Sequence, residues 1–240
     1  MMDKVNLEKV LFLDIETVPQ VYNYNELEEE GKAQFIRKSS FVHKGDENEY
    51  ENAYNGRAGI YAEFGKIVCI SVGFVHQSRT GKEIRMKSFA HDDEETLLKN
   101  FSSLLEESGG RFMMLCGHNA KEFDFPYICR RMLINGLKLP EMLNIAGKKP
   151  WEIAHLDTME LWKFGDFKAY TSLSLLCYIF KIPTPKDDIS GADVARVYYE
   201  ENDLERIKVY CEKDVLALIQ LFLKMRGENL IDEGDVYFST

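Results

Sequence analysis

Three groups of residues have the types and spacing for joint chemistry. Asp14 and Glu16 close the apolar run 9-KVLFLDIET-17. Side chains alternate along a strand, so both carboxylates leave one face, and acids are disfavoured inside such runs. Two like charges held together away from water are costly unless a divalent cation compensates them. With 40 acids in 240 residues, about seven such pairs arise by chance, which leaves solvated carboxylates at a strand end as the alternative. The second group is 119-NAKEFD-124. Taken alone, Asn119 reads more readily as an N-cap and Asp124 as a favourable first-turn charge, and Phe123 fits plain core. In 210-YCEKD-214, Tyr210 and Asp214 are four apart and share a helical face. A structural hydrogen bond is the plain alternative there.

The elements that must position these groups follow from periodicity. Residues 9–17 read as a buried strand. Residues 19–60 form a polar excursion, with helical spacing in 26-ELEEEGKAQFIRK-38 and a loop over 44–59. Strands resume at 66–76 and 83–89 as a hairpin around 78-SRTGK-82. Asp92 is placed to cap a helix over 93–108 that ends at Gly109-Gly110. A strand at 112–119, a helix over 122–136 with Pro126 in its first turn, and a fifth strand at 152–159 come next. Helices at 172–180, 191–200 and 203–225 complete the chain. Three opening strands, βα alternation and closing helices predict an α/β fold with a mixed five-stranded sheet flanked by helices. All 240 residues are read as one domain.

Composition narrows the function classes. The chain carries 30 basic and 40 acidic side chains, a net charge of -10, and 45% hydrophobic residues. That excludes disorder and coiled coil, and argues against coating nucleic acid by bulk charge. Only residues 121–186 are net positive, with 10 basic and 7 acidic side chains, so a polyanion is expected there. No apolar run reaches the ~18 residues of a membrane span, so no membrane partner and a cytoplasmic location are expected. Cys69, Cys116, Cys129, Cys177 and Cys211 form no C-x-x-C pair, which predicts buried thiols rather than cysteine-ligated zinc.

In order along the chain, D-x-E, N-x-x-x-F-D and Y-x-x-x-D resemble the three exonuclease motifs of the DEDD superfamily, in its tyrosine branch. The histidine branch would place His at 209, where this chain has Val209. The segments 57-RAGIYAEFGKIVCISVGF-74, 153-IAHLDTMELW-162 and 206-RIKVYCEKDVLALIQLFLKM-225 are similar to free-standing predicted 3′-5′ exonucleases related to the proofreading domain of family B DNA polymerases. The resemblance spans about residues 9–226. It implies a ribonuclease H-like fold and two divalent cations, Mg²⁺ or Mn²⁺, held by Asp14, Glu16, Asp124 and Asp214. It further implies that Tyr210 orients the attacking water, and that Asn119, Phe123 and the backbone near Ile15 and Thr17 contact the terminal nucleotide. The expected substrate is DNA, with single-stranded 3′ ends preferred and 5′-mononucleotides released. The rival readings are a ribonuclease D-like exoribonuclease and an inactive nucleic-acid-binding module. Oxygen-only ligation agrees with Mg²⁺ or Mn²⁺.

His118 and His155 match no motif and read as structural. Trp151, Trp162, Phe164 and Phe167, interleaved with Lys148, Lys149, Lys163 and Lys168, fit either base stacking or a mixture of core aromatics and solvated lysines.

Overall fold

The computed structural model describes residues 2–40, 47–166, 168–183 and 189–239. Its centre is β1, Val10–Pro19, where β-branched and large apolar residues favour extended backbone and burial on both faces. β1 pairs antiparallel with β2, Gly65–Gln77, which pairs antiparallel with β3, Lys82–Ala90. On its other side β1 runs parallel to β4, Met114–Gly117, which is parallel to β5, Leu156–Asp157. Five strands were expected, but there are six among the described residues. Val236–Ser239, as β6, adds parallel to β3, for an order of β5-β4-β1-β2-β3-β6. Four residues after a 3-10 turn carry little periodicity, which is why the sequence hid this edge strand.

Alternation along β1 divides the core. Leu11, Leu13 and Ile15 face α3, Glu94–Glu107, and α4, Asp124–Ile134, packing with Leu97, Leu98, Phe101, Phe125 and Ile128. Val10 and Phe12 face α8, Leu204–Met225, and pack with Val215, Leu218, Ile219 and Phe222. Each such side chain contributes about 1.5–3 kcal/mol on burial. Gly73 lets α8 approach, because a Cβ there would lie 2.9 Å from Ile219 Cδ1 and 3.2 Å from Val215 Cγ1. A β-branched residue at 73 would push α8 off the sheet.

The excursion holds more helix than its sequence promised. α1, Glu29–Ser39, matches the expected element, but residues 47–57, expected as loop, form α2, Glu47–Arg57; residues 44–46 lie outside the described set. Tyr24, Phe35, Tyr54 and Ala58 bury one another there as a satellite cluster, so tertiary burial overrides a polar composition. The predicted strand at 152–159 shrinks to β5, since Asp157 caps α5, Thr158–Lys163, by accepting from the Met159 and Glu160 N–H groups. α6, Leu173–Phe180, lies as predicted. The helix expected over 191–200 is a short α7, Val194–Arg196, continuing as a π-turn, Val197–Glu201. Asp93, not Asp92, caps α3 through the Thr96 N–H. No helix among the described residues is long and apolar enough to cross a membrane.

Candidate active site

The face of β1 that begins with Val10 and Phe12 continues with Asp14, Glu16 and Val18. Charge thus replaces apolar side chains where the row passes under the N-terminal half of α8. Cross-strand partners are Ser71 for Asp14 and Cys69 for Glu16, after which the register shifts between Glu16 and Thr17. Glu16 is only 7% exposed, and no hydrogen bond to its carboxylate forms among the described residues. α8 runs antiparallel to β1, with Ile207, Cys211, Val215, Leu218 and Phe222 as its buried stripe. Tyr210 and Asp214 each sit one residue, or about 100° of turn, to the side of that stripe. The four-residue spacing stacks them, and the Tyr210 hydroxyl donates to the Asp214 carboxylate.

Asp124 arrives from the opposite face. Gly117 ends β4 where a Cβ would strike Ala120 at 2.2 Å, and the chain then reverses through Asn119, left-handed at φ 61. Buried Asp157 holds this turn, accepting from the Asn119 and Lys121 N–H groups at 3.0 Å each. Asn119 is therefore a turn residue rather than a helix cap, and its carbonyl accepts from the Phe123 N–H at 3.0 Å. Asp124 opens α4 at 4% exposure, and its carboxylate takes a hydrogen bond from the Ile15 backbone N–H. That bond ties the second group of residues to the first.

Each carboxylate feels the others' charge. Burial, then the charges of Asp124 and Asp214, push the Asp14 carboxyl well above its ordinary range. Burial, then Asp14 and Asp214, do the same to Glu16. Burial raises Asp124 to about 7, with Asp157 adding to the shift and the Ile15 N–H opposing it. Burial and the charges of Asp214, Glu16 and Asp14 raise the Tyr210 phenol, which is neutral at any physiological pH. Buried oxygen donors such as Asp14, Glu16 and Asp124, with no lysine or arginine among the described causes of their shifts, have the chemistry to hold divalent metal.

The remaining predicted residues lie on the same elements. Ile15 has its side chain in the core and its N–H committed to Asp124. Thr17 donates to the Tyr127 hydroxyl, which donates to the Gly59 carbonyl at 2.7 Å. Phe123 is partly buried, with its ring 5.3 Å from that of Tyr127. The two histidines are structural. His118 bridges Thr158 Oγ1 and the Thr171 carbonyl at 2.8 Å each, and His155 bridges the Leu115 N–H and the Met142 carbonyl. Of the aromatics, Trp162 packs on Phe180, Trp151 and Phe164 are 77% and 82% exposed, and Phe167 lies outside the described residues. Sequence reasoning missed Asp157 and Cys211. The D-T pair after a strand is a legible cap signal for the first, whereas nothing local marks the second.

The profile of a family described as predicted 3′-5′ exonuclease related to the exonuclease domain of PolB matches residues 60–232. Asp124, Tyr210 and Asp214 lie inside that range, and β1–β2 pairing brings Asp14 and Glu16 to it. No curated protein matches the sequence. Among solved structures, the family B DNA polymerase from the hyperthermophilic archaeon Pyrobaculum calidifontis matches with a TM-score of 0.52 and 16% identity. The match covers 89% of this chain and 24% of the polymerase, so this chain spans about a quarter of that protein. The shared fold is the ribonuclease H-like one.

Proposed function

The chain belongs to the family of predicted 3′-5′ exonucleases related to the exonuclease domain of PolB, and from that premise we propose that it hydrolyses DNA from single-stranded 3′ ends to 5′-mononucleotides. The observation that carries this reading is the pairing of Asp14 and buried Glu16 on one face of β1, with Asp124 and Asp214 among the charges that raise both, and with no basic side chain among the described causes of the shifts of Asp14, Glu16 and Asp124.

In this reading the four carboxylates hold two divalent cations, Mg²⁺ or Mn²⁺. When bound, such cations make water acidic enough to attack at neutral pH and offset the charge that develops on the leaving 3′ oxygen. Tyr210 keeps its proton, and its hydroxyl, anchored on Asp214, orients the attacking water. Glu16, whose carboxylate has no other hydrogen bond among the described residues, accepts the proton of that water at a free oxygen. Asn119, fixed in its turn by Asp157, offers its amide to the terminal nucleotide, and the Phe123 ring offers a stacking face. The backbone at Ile15 and Thr17 borders the same space.

An acidic protein binds a polyanion here because the cations invert the local sign of the field. Exposed Phe164, Tyr170 and Tyr178, with Lys163 4.2 Å from the Tyr170 ring, supply stacking and charge for the strand beyond the terminal residue. Digestion of matched single-stranded DNA and RNA, labelled at either end, with Mg²⁺, Mn²⁺ or EDTA tests the proposal. Mononucleotides released from the 3′ end of DNA, and none in EDTA, is the expected result. Equal or faster digestion of RNA would reassign the substrate, and no digestion of either would refute the activity.

A further inference from the structure

One polar group beneath the carboxylates has no part in the proposed reaction. Cys211 is fully buried on the stripe of α8 that packs against the sheet. Its sulfur lies 3.5 Å from the Asp14 carbonyl oxygen and 3.6 Å from Asp14 Oδ2. It also shares a hydrogen bond with the Cys69 thiol, and Cys69 is the cross-strand partner of Glu16. Paired residues of an antiparallel ladder project to the same face. Asp14, Glu16 and Cys69 therefore all meet Cys211 between the sheet and α8. One ligand atom from each of Asp14, Glu16 and Cys211 lies within 4.8 Å of the others. Glu16, 7% exposed and without a hydrogen bond among the described residues, points into this cluster.

Two carboxylate oxygens and a sulfur around so small a space match the donors of a four-coordinate cation with one position left for solvent. Hard cations gain little from the sulfur, whereas Zn²⁺ takes thiolate and carboxylate together. We propose that Asp14, Glu16 and Cys211 form a site for a thiophilic divalent cation, Zn²⁺, that overlaps the place of the catalytic cations and so silences the enzyme. The inference rests on the reading of Asp14 and Glu16 as metal-binding carboxylates. On binding, the Cys211 S–H bond breaks, a metal–sulfur bond forms, and the proton passes to buffer. No electron is transferred.

Cd²⁺ serves as the spectroscopic probe of this site. Titrating metal-free protein with Cd²⁺ produces an ultraviolet thiolate-to-metal charge-transfer band and releases the thiol proton of Cys211 in addition to any held by Asp14 and Glu16, so that proton release per cation is larger than in Cys211→Ala. Cys211→Ser and Cys211→Ala both lose the band, while Mn²⁺ binding by calorimetry persists in both. Cys69→Ser keeps the band. In Mn²⁺-supported digestion, the Zn²⁺ concentration for half inhibition rises roughly tenfold or more in Cys211→Ser. A wild type that binds Mn²⁺ yet shows no band with Cd²⁺ overturns the thiol site and leaves the carboxylate site standing. A band that survives in both Cys211 variants overturns it equally. A band in wild-type protein that binds no Mn²⁺ refutes the carboxylate reading, and with it the site shared by Asp14, Glu16 and Cys211.

Discussion

Glu94 and Glu16 are both 7% exposed, and the protein treats them in opposite ways. Glu94 lies between α3 and α4 with its charge fully answered. Arg131 reaches it through Nε at 2.9 Å and through a second nitrogen at 2.5 Å, the Ile67 N–H donates at 2.7 Å and Asn135 Nδ2 at 2.9 Å. Arg131 spends a further hydrogen on the Ala62 carbonyl. Buried Asp157 is similarly satisfied by backbone N–H groups. Glu16, by contrast, faces Asp14, Asp214 and Asp124 with no basic partner among the described residues. Burial alone therefore does not mark a functional acid. What separates the two regions is whether the fold itself supplies the compensating charge.

The largest effect that would test this difference is on turnover. Asp14→Ala or Asp214→Ala is expected to cut exonuclease rate by on the order of a thousandfold, several kcal/mol of transition-state stabilisation, without lowering the metal-free melting temperature. More than a tenth of wild-type activity in either variant would break the assignment of these acids to the catalytic centre.

The compensated region should respond in stability instead. Arg131→Met leaves Glu94 buried and unpaired, at a cost of about 3–5 kcal/mol. At roughly 2–4 °C per kcal/mol, calorimetry should record a fall on the order of 10 °C with the active-site chemistry intact at low temperature. If the melting temperature does not move, the buried pair is not what holds α3 to α4.

Tyr210→Phe removes only the hydroxyl. Turnover should drop by ~10²-fold, the scale of a positioned acid-base partner, while isothermal calorimetry finds Mn²⁺ binding unchanged. Loss of Mn²⁺ binding would move Tyr210 from orienting water to supporting the metal.

A smaller effect sharpens the contrast directly. A hundredfold excess of Mn²⁺ over Kd should stabilise the folded protein by about 2.7 kcal/mol. Asp124→Asn should raise the metal-free melting temperature and shrink this Mn²⁺ increment, because it relieves repulsion and removes a ligand together. Equal increments in wild type and variant, at constant ionic strength, would show that the carboxylates do not act as one site.

The smallest effect is the pH dependence. Asp14, Glu16 and Asp124 bind protons more tightly folded than unfolded, with Asp124 raised to about 7. Their burden on stability is absent below the unfolded value of 3.8 for Asp and grows as pH rises through the folded values. In EDTA, acidifying from pH 8 to about 6.5 should thus raise the melting temperature, and Asp124→Asn should flatten the slope. Below 6.5 the sign reverses for His118 and His155, whose protonation burial disfavours. A melting temperature that falls from pH 8 to 6.5 in EDTA would contradict uncompensated burial.

Much of this site was legible without coordinates. Two acids at the end of an apolar strand, and a tyrosine four residues before an acid in a long helix, carry their own geometry, because alternation and the 3.6-residue turn are local. The strong periodicities at β1, β2, α3 and α8 located those elements for the same reason. Weak or short patterns failed: β6 is four residues long, and α2 has a polar sequence whose Ala53 and Tyr54 are buried by tertiary contact with Tyr24, Phe35 of α1 and Ala58.

The linear order of residues determined by itself which side chains share a strand face or a helix face, and therefore which acids could act in pairs. Tertiary structure alone decided which buried acids found a compensating partner, as Glu94 did, and which, like Glu16, found none among the described residues. Glu94 meets Arg131, Asn119 is pinned by Asp157, and Cys211 is placed behind Asp14 and beside Cys69. Each of these contacts joins separate elements across the sheet or between helices. No local period encodes them, because they depend on where packing of the apolar faces leaves the elements in space.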